Sequence, residues 1–162
     1  MLWDDLRLED AGRAYEAVWT LVACPEQAVP YLGNRMQPAS PPDHSVLSRD
    51  LAGLGDNRFD ARQRSFQNLK QLGDLAVPAL RRRLANNCTL EEQRRIDELL
   101  RAAKKWSPND LQILRAIQVL EYVGKPTTMD ILQRIAAGAP ESRLTMEAQA
   151  SLARLTSKAS RH

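Results

Sequence analysis

The sequence predicts an all-α chain, a short α-solenoid of about eight to nine helices arranged in pairs. Three observations carry that expectation. Apolar residues recur at spacings of three and four almost everywhere, and no stretch alternates with period two for long enough to make a strand. In addition, helix start and stop signals punctuate the chain at short intervals, and the helix pairs between them repeat one another.

A short amphipathic lead-in carries Trp3 and Leu6, and the first strong helix starts near Asp10 with Ala11, Ala14, Tyr15, Val18, Leu21 and Val22 on one stripe. It stops at Cys24-Pro25. Pro25 suits the first turn of the next helix, where a missing N–H costs nothing, and that helix runs through Leu32 to about Met36. Pro30 lies deep for this arrangement and leaves the helix start open. The segment 37–44, QPASPPDH, is a loop rich in proline. A short helix with Leu47, Leu51 and Leu54 on one face follows.

Asn57, with Asp60 three residues on, is placed to cap a helix carrying Phe59, Phe66, Leu69 and Leu72 inward, and Gly73 ends it. Its partner covers 75–86. Thr89 with Glu92 forms a capping box for a helix bearing Ile96, Leu99, Leu100 and Ala103. Ser107-Pro108-Asn109-Asp110 is the clearest helix start in the chain. The apolar arc that follows (Ile113, Ala116, Ile117, Val119, Leu120, Val123) is too wide for a surface helix and implies neighbours on both sides. Gly124 ends that helix. Pro126 opens another with Met129, Leu132, Ile135 and Ala136, and a closing helix is expected over 145–156, with fraying from Thr156 to His162.

Composition bounds the rest. The 162 residues are 43% hydrophobic and 27% charged, enough for a core without metal or disulfide staples. No apolar run approaches the ~20 residues of a membrane span, and no segment reads as a secretory signal, so the expected compartment is the cytoplasm, with no membrane partner. Cys24 and Cys88 stand far apart and read as small buried hydrophobes. The net charge of +3 is unevenly spread: residues 1–40 hold three Arg against six acidic residues, whereas 81–120 hold nine basic against five acidic.

Leu21, Cys24, Pro25, Ala28, Val29, Pro30 and Leu32 return 48 positions later as Leu69, Leu72, Gly73, Ala76, Val77, Pro78 and Leu80, and a fainter copy follows at Leu120, Val123, Gly124 and Leu132. Tandem helical units of this period mark α-solenoids, in which each unit buries its apolar faces against the next. The expected organisation is one domain, 1–162, with units over 1–36, 45–86 and 90–138. The run DNRFDARQRSFQNLKQLGDLAVPALRRRL, 56–84, resembles a HEAT repeat of the kind found in bacterial HEAT-like domains. The resemblance implies a right-handed solenoid and a structural inter-repeat pair, Asp56 with Arg62. The third unit keeps Asn109 and Arg115 at that spacing, and the first has no counterpart. The opening LWDDLRLEDAGRAYEAVWTL, the proline-rich loop and the closing GAPESRLTMEAQASLARL are similar to helical domains appended to multidomain WD-repeat proteins of planctomycete-type bacteria.

Residues fit for catalysis are scarce. The two histidines are His44, in the proline-rich loop, and His162, at the terminus, so a Ser-His-Asp site would lack rigid support. Cys and His are nowhere clustered at zinc spacing, and the glycines stand apart at helix ends instead of forming a phosphate loop. No catalytic residue, cofactor or metal is expected. Arg81, Arg82, Arg83, Arg94, Arg95, Arg101, Lys104 and Lys105 form a basic cluster close to Trp106. Part of it is expected to be neutralised by Glu91–Arg95, Asp97–Arg101 and Glu98–Arg101 pairs at helical spacing. Trp3, Trp19 and Trp106 are placed on helices, and Trp19 lies one step off its apolar stripe, which marks it for a contact-making face.

The function expected is a non-catalytic interaction or scaffold module that docks a protein partner or another domain of its own parent chain. The alternative is nucleic-acid binding through the phosphate backbone at 81–105, at the extreme as a relative of HEAT-like DNA glycosylases.

Overall fold

The computed structural model describes residues 2–86 and 88–159. Among them the protein is all-helical, with no strand: α1 (Leu2–Asp5), α2 (Ala11–Ala23), α3 (Pro25–Arg35), α4 (His44–Gly53), α5 (Phe59–Leu72), a 3-10 turn (Gly73–Ala76), α6 (Val77–Ala85), α7 (Leu90–Lys104), α8 (Pro108–Val123), α9 (Pro126–Ala136) and α10 (Arg143–Ala159).

The chain divides into two compact units. The first joins Met1–Ser40 to Trp106–His162, and the second is the insertion between them, Pro41–Lys105. The cut passes between α7 and α8, through the expected repeat unit 90–138.

In the first unit α8 is the central helix. It packs on α2, α3, α9 and α10, so its wide apolar arc is covered on both sides as expected. Ala116, Ile117, Val119 and Leu120 form the centre of a core with Leu21, Leu32, Leu132, Ile135 and Ala148. Asp10 caps α2 by accepting hydrogen bonds from the Gly12 and Arg13 N–H groups. Ser107 and Asp110 form a reciprocal capping box with Pro108 at the start of α8, and Gly124 ends it at φ +60°. Left-handed backbone of that kind favours glycine, which has no Cβ to clash. Pro30 lies inside α3 and does not mark its start. Its missing N–H leaves a carbonyl on the solvent side, where Glu26 and Pro30 are both exposed and water can replace the bond. Tyr15, expected on the buried stripe of α2, is 65% exposed. Ala14, Ala17, Val18 and Leu21 fill the buried face instead. The closing helix starts at Arg143 and continues past Thr156 to Ala159. The rest of the expected frayed tail, including His162, lies outside the described residues.

The second unit packs α4 on α5 and α6 on α7 around Leu47, Leu54, Phe66, Leu69, Ala76, Leu80, Ile96 and Leu99. His44, expected in the loop, is the first residue of α4, because Asp43 caps that helix through the Ser45 and Val46 N–H groups. Asn57 does not cap α5. The Asp56 carboxylate takes the Arg58 N–H at 2.8 Å, so the chain turns one residue later and the helix opens at Phe59. That leaves Phe59 on the outer side, 63% exposed, under the Arg62 guanidinium. Gly73 ends α5 at φ +56°, and the 3-10 turn leads into α6.

The two Ala-Val-Pro copies bury matching Ala and Leu residues, Ala28 and Leu32 in one core and Ala76 and Leu80 in the other, while Val29 is buried and Val77 half-buried. They enter their helices differently. Pro30 sits five residues past Pro25 at the start of α3, whereas Pro78 falls in the first turn of α6, because the 3-10 turn replaces the opening turn that α3 has.

Candidate functional site

The expected basic cluster lies wholly in the second unit. Arg81 and Arg82 on α6, and Arg94 and Lys104 on α7, are exposed and enter no ion pair among the described residues. Lys105 follows α7 as its C-cap. The other members are committed to the fold. Arg83 donates to Glu92 at 2.7 Å, and Arg95 donates to Glu91 at 2.8 Å, with Arg62 also within 3.5 Å of Glu91. The Arg95 guanidinium, and then the nearby Arg62 charge, hold the Glu91 carboxyl below its ordinary value. Arg101 reaches the Asp97 backbone carbonyl instead of the Asp97 or Glu98 carboxylate. The Glu91–Arg95 pair therefore forms as its spacing predicts, and the two pairs expected for Arg101 do not. Successive helical positions differ by about 100°, so Arg81 and Arg82 splay apart.

Asp56 and Arg62 do meet, but through the main chain. Arg62 Nη1 donates to the Asp56 and Asn57 carbonyls at 2.8 and 2.9 Å, while the Asp56 carboxylate accepts from Arg58. Arg115 acts in the same way, donating to the carbonyls of Leu6 and Leu8.

No cluster of three His, Cys, Asp or Glu suited to a metal exists among the described residues. His44 is exposed at the start of α4. Cys24 is exposed and Cys88 half-buried, contrary to the expectation of two buried thiols. Cys24 occupies the corner between α2 and α3, where its main chain caps both helices and its side chain is turned outward. No described helix is long and apolar enough to cross a membrane.

What the first unit does present is an aromatic surface. Tyr15 and Trp19 lie one turn apart on α2, and Tyr122 lies near the end of α8. Trp19 stacks on Tyr122 with ring centres 5.1 Å apart and planes 9° from parallel, and Tyr15 meets Trp19 edge-on at 6.0 Å. The three rings stay open, at 65% for Tyr15, 43% for Trp19 and 52% for Tyr122. Beside Tyr122, Glu121 is fixed by a two-pronged bond from Arg154 at 2.8 and 2.7 Å, which lowers the Glu121 carboxyl below its ordinary value. The ridge is thus flanked by a satisfied ion pair. Trp3 is half-buried against Tyr31, and Trp106 lies between α7 and α8, outside any helix, beneath the Arg143 guanidinium.

The off-stripe position of Trp19 points to this face in the sequence. Tyr15 was readable as its neighbour only through the four-residue spacing. Tyr122 carries no local signal, because its stacking partner is more than a hundred residues away.

Comparison with family models, with curated proteins and with solved structures finds no match to this chain.

Proposed function

We propose that the protein is a non-catalytic protein–protein interaction module, a short right-handed α-solenoid of HEAT-like helix pairs that docks a partner protein or another domain of its parent chain. The observation that carries this reading is the Tyr15–Trp19–Tyr122 ridge. Exposed rings that hold one another in place lose little side-chain entropy on binding, and Trp and Tyr dominate the energetic centres of protein interfaces. Backbone-phosphate binding through Arg81, Arg82, Arg94, Arg95, Arg101, Lys104 and Lys105 is less well supported, since Arg95 and Arg101 are held by internal contacts.

A photo-crosslinking residue placed at Tyr15 in the full chain tests the proposal, with the same residue at exposed Lys70 as control. The expected result is a discrete protein adduct from position 15 only, lost when Trp19→Ser and Tyr122→Ser are added. Because both rings are about half open, the double variant should fold, losing about 0.5–1.5 kcal/mol for the stacked pair beyond the apolar area that the two rings still bury. Equal crosslinking from both positions, or an adduct indifferent to the double variant, would sink the reading. So would affinity for DNA at about 50 mM salt that falls steeply as salt rises.

A further inference from the structure

The buried stripe of α4 follows helical spacing through Leu47, Asp50, Leu51 and Leu54, and one member is charged. Asp50 is only 4% exposed, and its Oδ1 accepts from Asn68 Nδ2 on α5 at 3.2 Å. Its Oδ2 has no hydrogen-bond partner among the described residues. A carboxylate oxygen buried without a donor is a costly arrangement that native interiors avoid unless something else completes it.

Asp50 also lines an open pocket between α4 and α5 of about 530 Å³, within the range of small-molecule sites and far larger than an inorganic phosphate ion. Three arginines line the same pocket, Arg49 from α4, Arg58 from the turn and Arg64 from α5. Arg58 is engaged by Asp56, and Arg64 donates through Nε to the Asp60 carbonyl, which leaves its terminal nitrogens available. Arg49 makes no hydrogen bond or ion pair among the described residues.

The lining thus offers two guanidinium groups for an anion, together with one carboxylate that lacks a donor. A bare anion would leave Asp50 unsatisfied and repel it, and a simple cation would meet the arginines. We propose that this pocket is a binding site for a small phosphorylated polyol, its phosphate held by Arg49 and Arg64 and a hydroxyl donating to Asp50. Planar guanidinium groups suit phosphate oxygens, and bonds to charged partners are the stronger kind. The site belongs to the second unit and stands independently of the aromatic ridge.

Isothermal titration of the full chain with ribose 5-phosphate, ribose and inorganic phosphate tests this. Saturable binding of ribose 5-phosphate is expected, about tenfold or more tighter than inorganic phosphate, with no measurable binding of ribose. Asp50→Asn should bring the ribose 5-phosphate affinity close to that of inorganic phosphate, and should tighten the latter, because the negative charge that repels the bare anion is gone. Arg49→Gln with Arg64→Gln, both on the surface, should weaken both anions. If Asp50→Asn fails to fold, the surface double variant and the comparison of probes still decide. Absence of ribose 5-phosphate binding up to about 10 mM would overturn the proposal. So would equal affinity for the sugar phosphate and the bare ion, or indifference to either set of substitutions.

Discussion

Glu92 sits where local capping and charge pairing meet. Its carboxylate is buried, accepts from Arg83 Nη2 at 2.7 Å and from the Thr89 N–H at 2.9 Å, and lies against Gly55, where an added Cβ would stand 2.9 Å from it. Glu92→Gln keeps an oxygen for Thr89 but removes the charge facing Arg83. Bonds to charged groups contribute about 1.5–3 kcal/mol against about 1 for neutral ones, so a loss of about 1–2 kcal/mol is expected, reduced by the partial exposure of Arg83. In a chain of this length that corresponds to about 3–6 °C in Tm, followed by circular dichroism at the helical band. Glu92→Ala should cost more, about 2–4 kcal/mol, because the capping box is lost and Arg83, whose Nε already has no partner, is left without its acid. The pH dependence carries the sharper test. The Arg83 bond, then the Thr89 N–H, hold the Glu92 carboxyl below its ordinary value of 4.5. A depressed carboxyl stabilises the fold fully above its unfolded value, and that contribution drains away as pH falls through the folded value. The Tm gap between wild type and Glu92→Gln should therefore be wide at pH 7 and close in stronger acid. Glu91 and Glu121 titrate in both proteins and cancel in the difference. No gap at pH 7, or the same gap at pH 7 and pH 3, would refute the assignment.

Two glycines give further tests of packing. A Cβ at Gly138 would stand 2.8 Å from the Ala39 nitrogen and 3.0 Å from its oxygen, and that segment is held by the Ala139 N–H to Ala39 carbonyl bond at 2.7 Å. Since backbone cannot swing aside as a side chain can, Gly138→Ala should cost about 1–3 kcal/mol in urea unfolding. An unchanged midpoint would mean the close approach is looser than it stands. At Gly53 the added Cβ would meet Ser65 Oγ at 2.0 Å and Ser65 Cβ at 2.9 Å, so Gly53→Ala must push α4 from α5. Combining it with Ser65→Gly should recover most of the loss, and strict additivity of the two changes would argue against direct contact.

Features set within a few residues were legible in the sequence. The helix start near Asp10, the caps at Thr89–Glu92 and Ser107–Asp110 and the glycine stops at Gly73 and Gly124 all form as expected, because each joins groups no more than four residues apart. Where two local options competed, the pattern chose wrongly. Asp56 and Asn57 both precede α5, and the carboxylate of Asp56 captured the N–H that fixes the turn. Tyr15 and Phe59 fell on apolar stripes yet face outward, since periodicity names a face and only a distant partner decides how much of it is covered. The same limit hid Tyr122, and it hid Asp50, whose charge interrupts the stripe of α4 without any neighbour in sequence to explain it.

Arginine use shows why charge counting misdirects the search for a partner. Arg62 ends on the carbonyls of Asp56 and Asn57, Arg115 on those of Leu6 and Leu8, and Arg134 on those of Gly33 and Met36. Each guanidinium ties a neighbouring helix end or turn by satisfying oxygens that helix geometry leaves without donors. Arg115 and Arg134 use no acid in these contacts, and Arg62 adds only a 3.5 Å approach to Glu91, which Arg95 already holds, so the positive excess of +3 is partly internal scaffolding. An Asp–Arg spacing in such a chain therefore need not mean an ion pair, because the arginine can meet the same structural demand through the main chain. The members of the basic cluster left unpaired among the described residues, Arg81, Arg82, Arg94 and Lys104, are spread over α6 and α7, whereas the three rings of α2 and α8 are gathered and fixed against one another. Binding energy concentrates where preorganised area concentrates, and that favours the ridge over the basic cluster as the surface on which the proposed interaction is to be tested first.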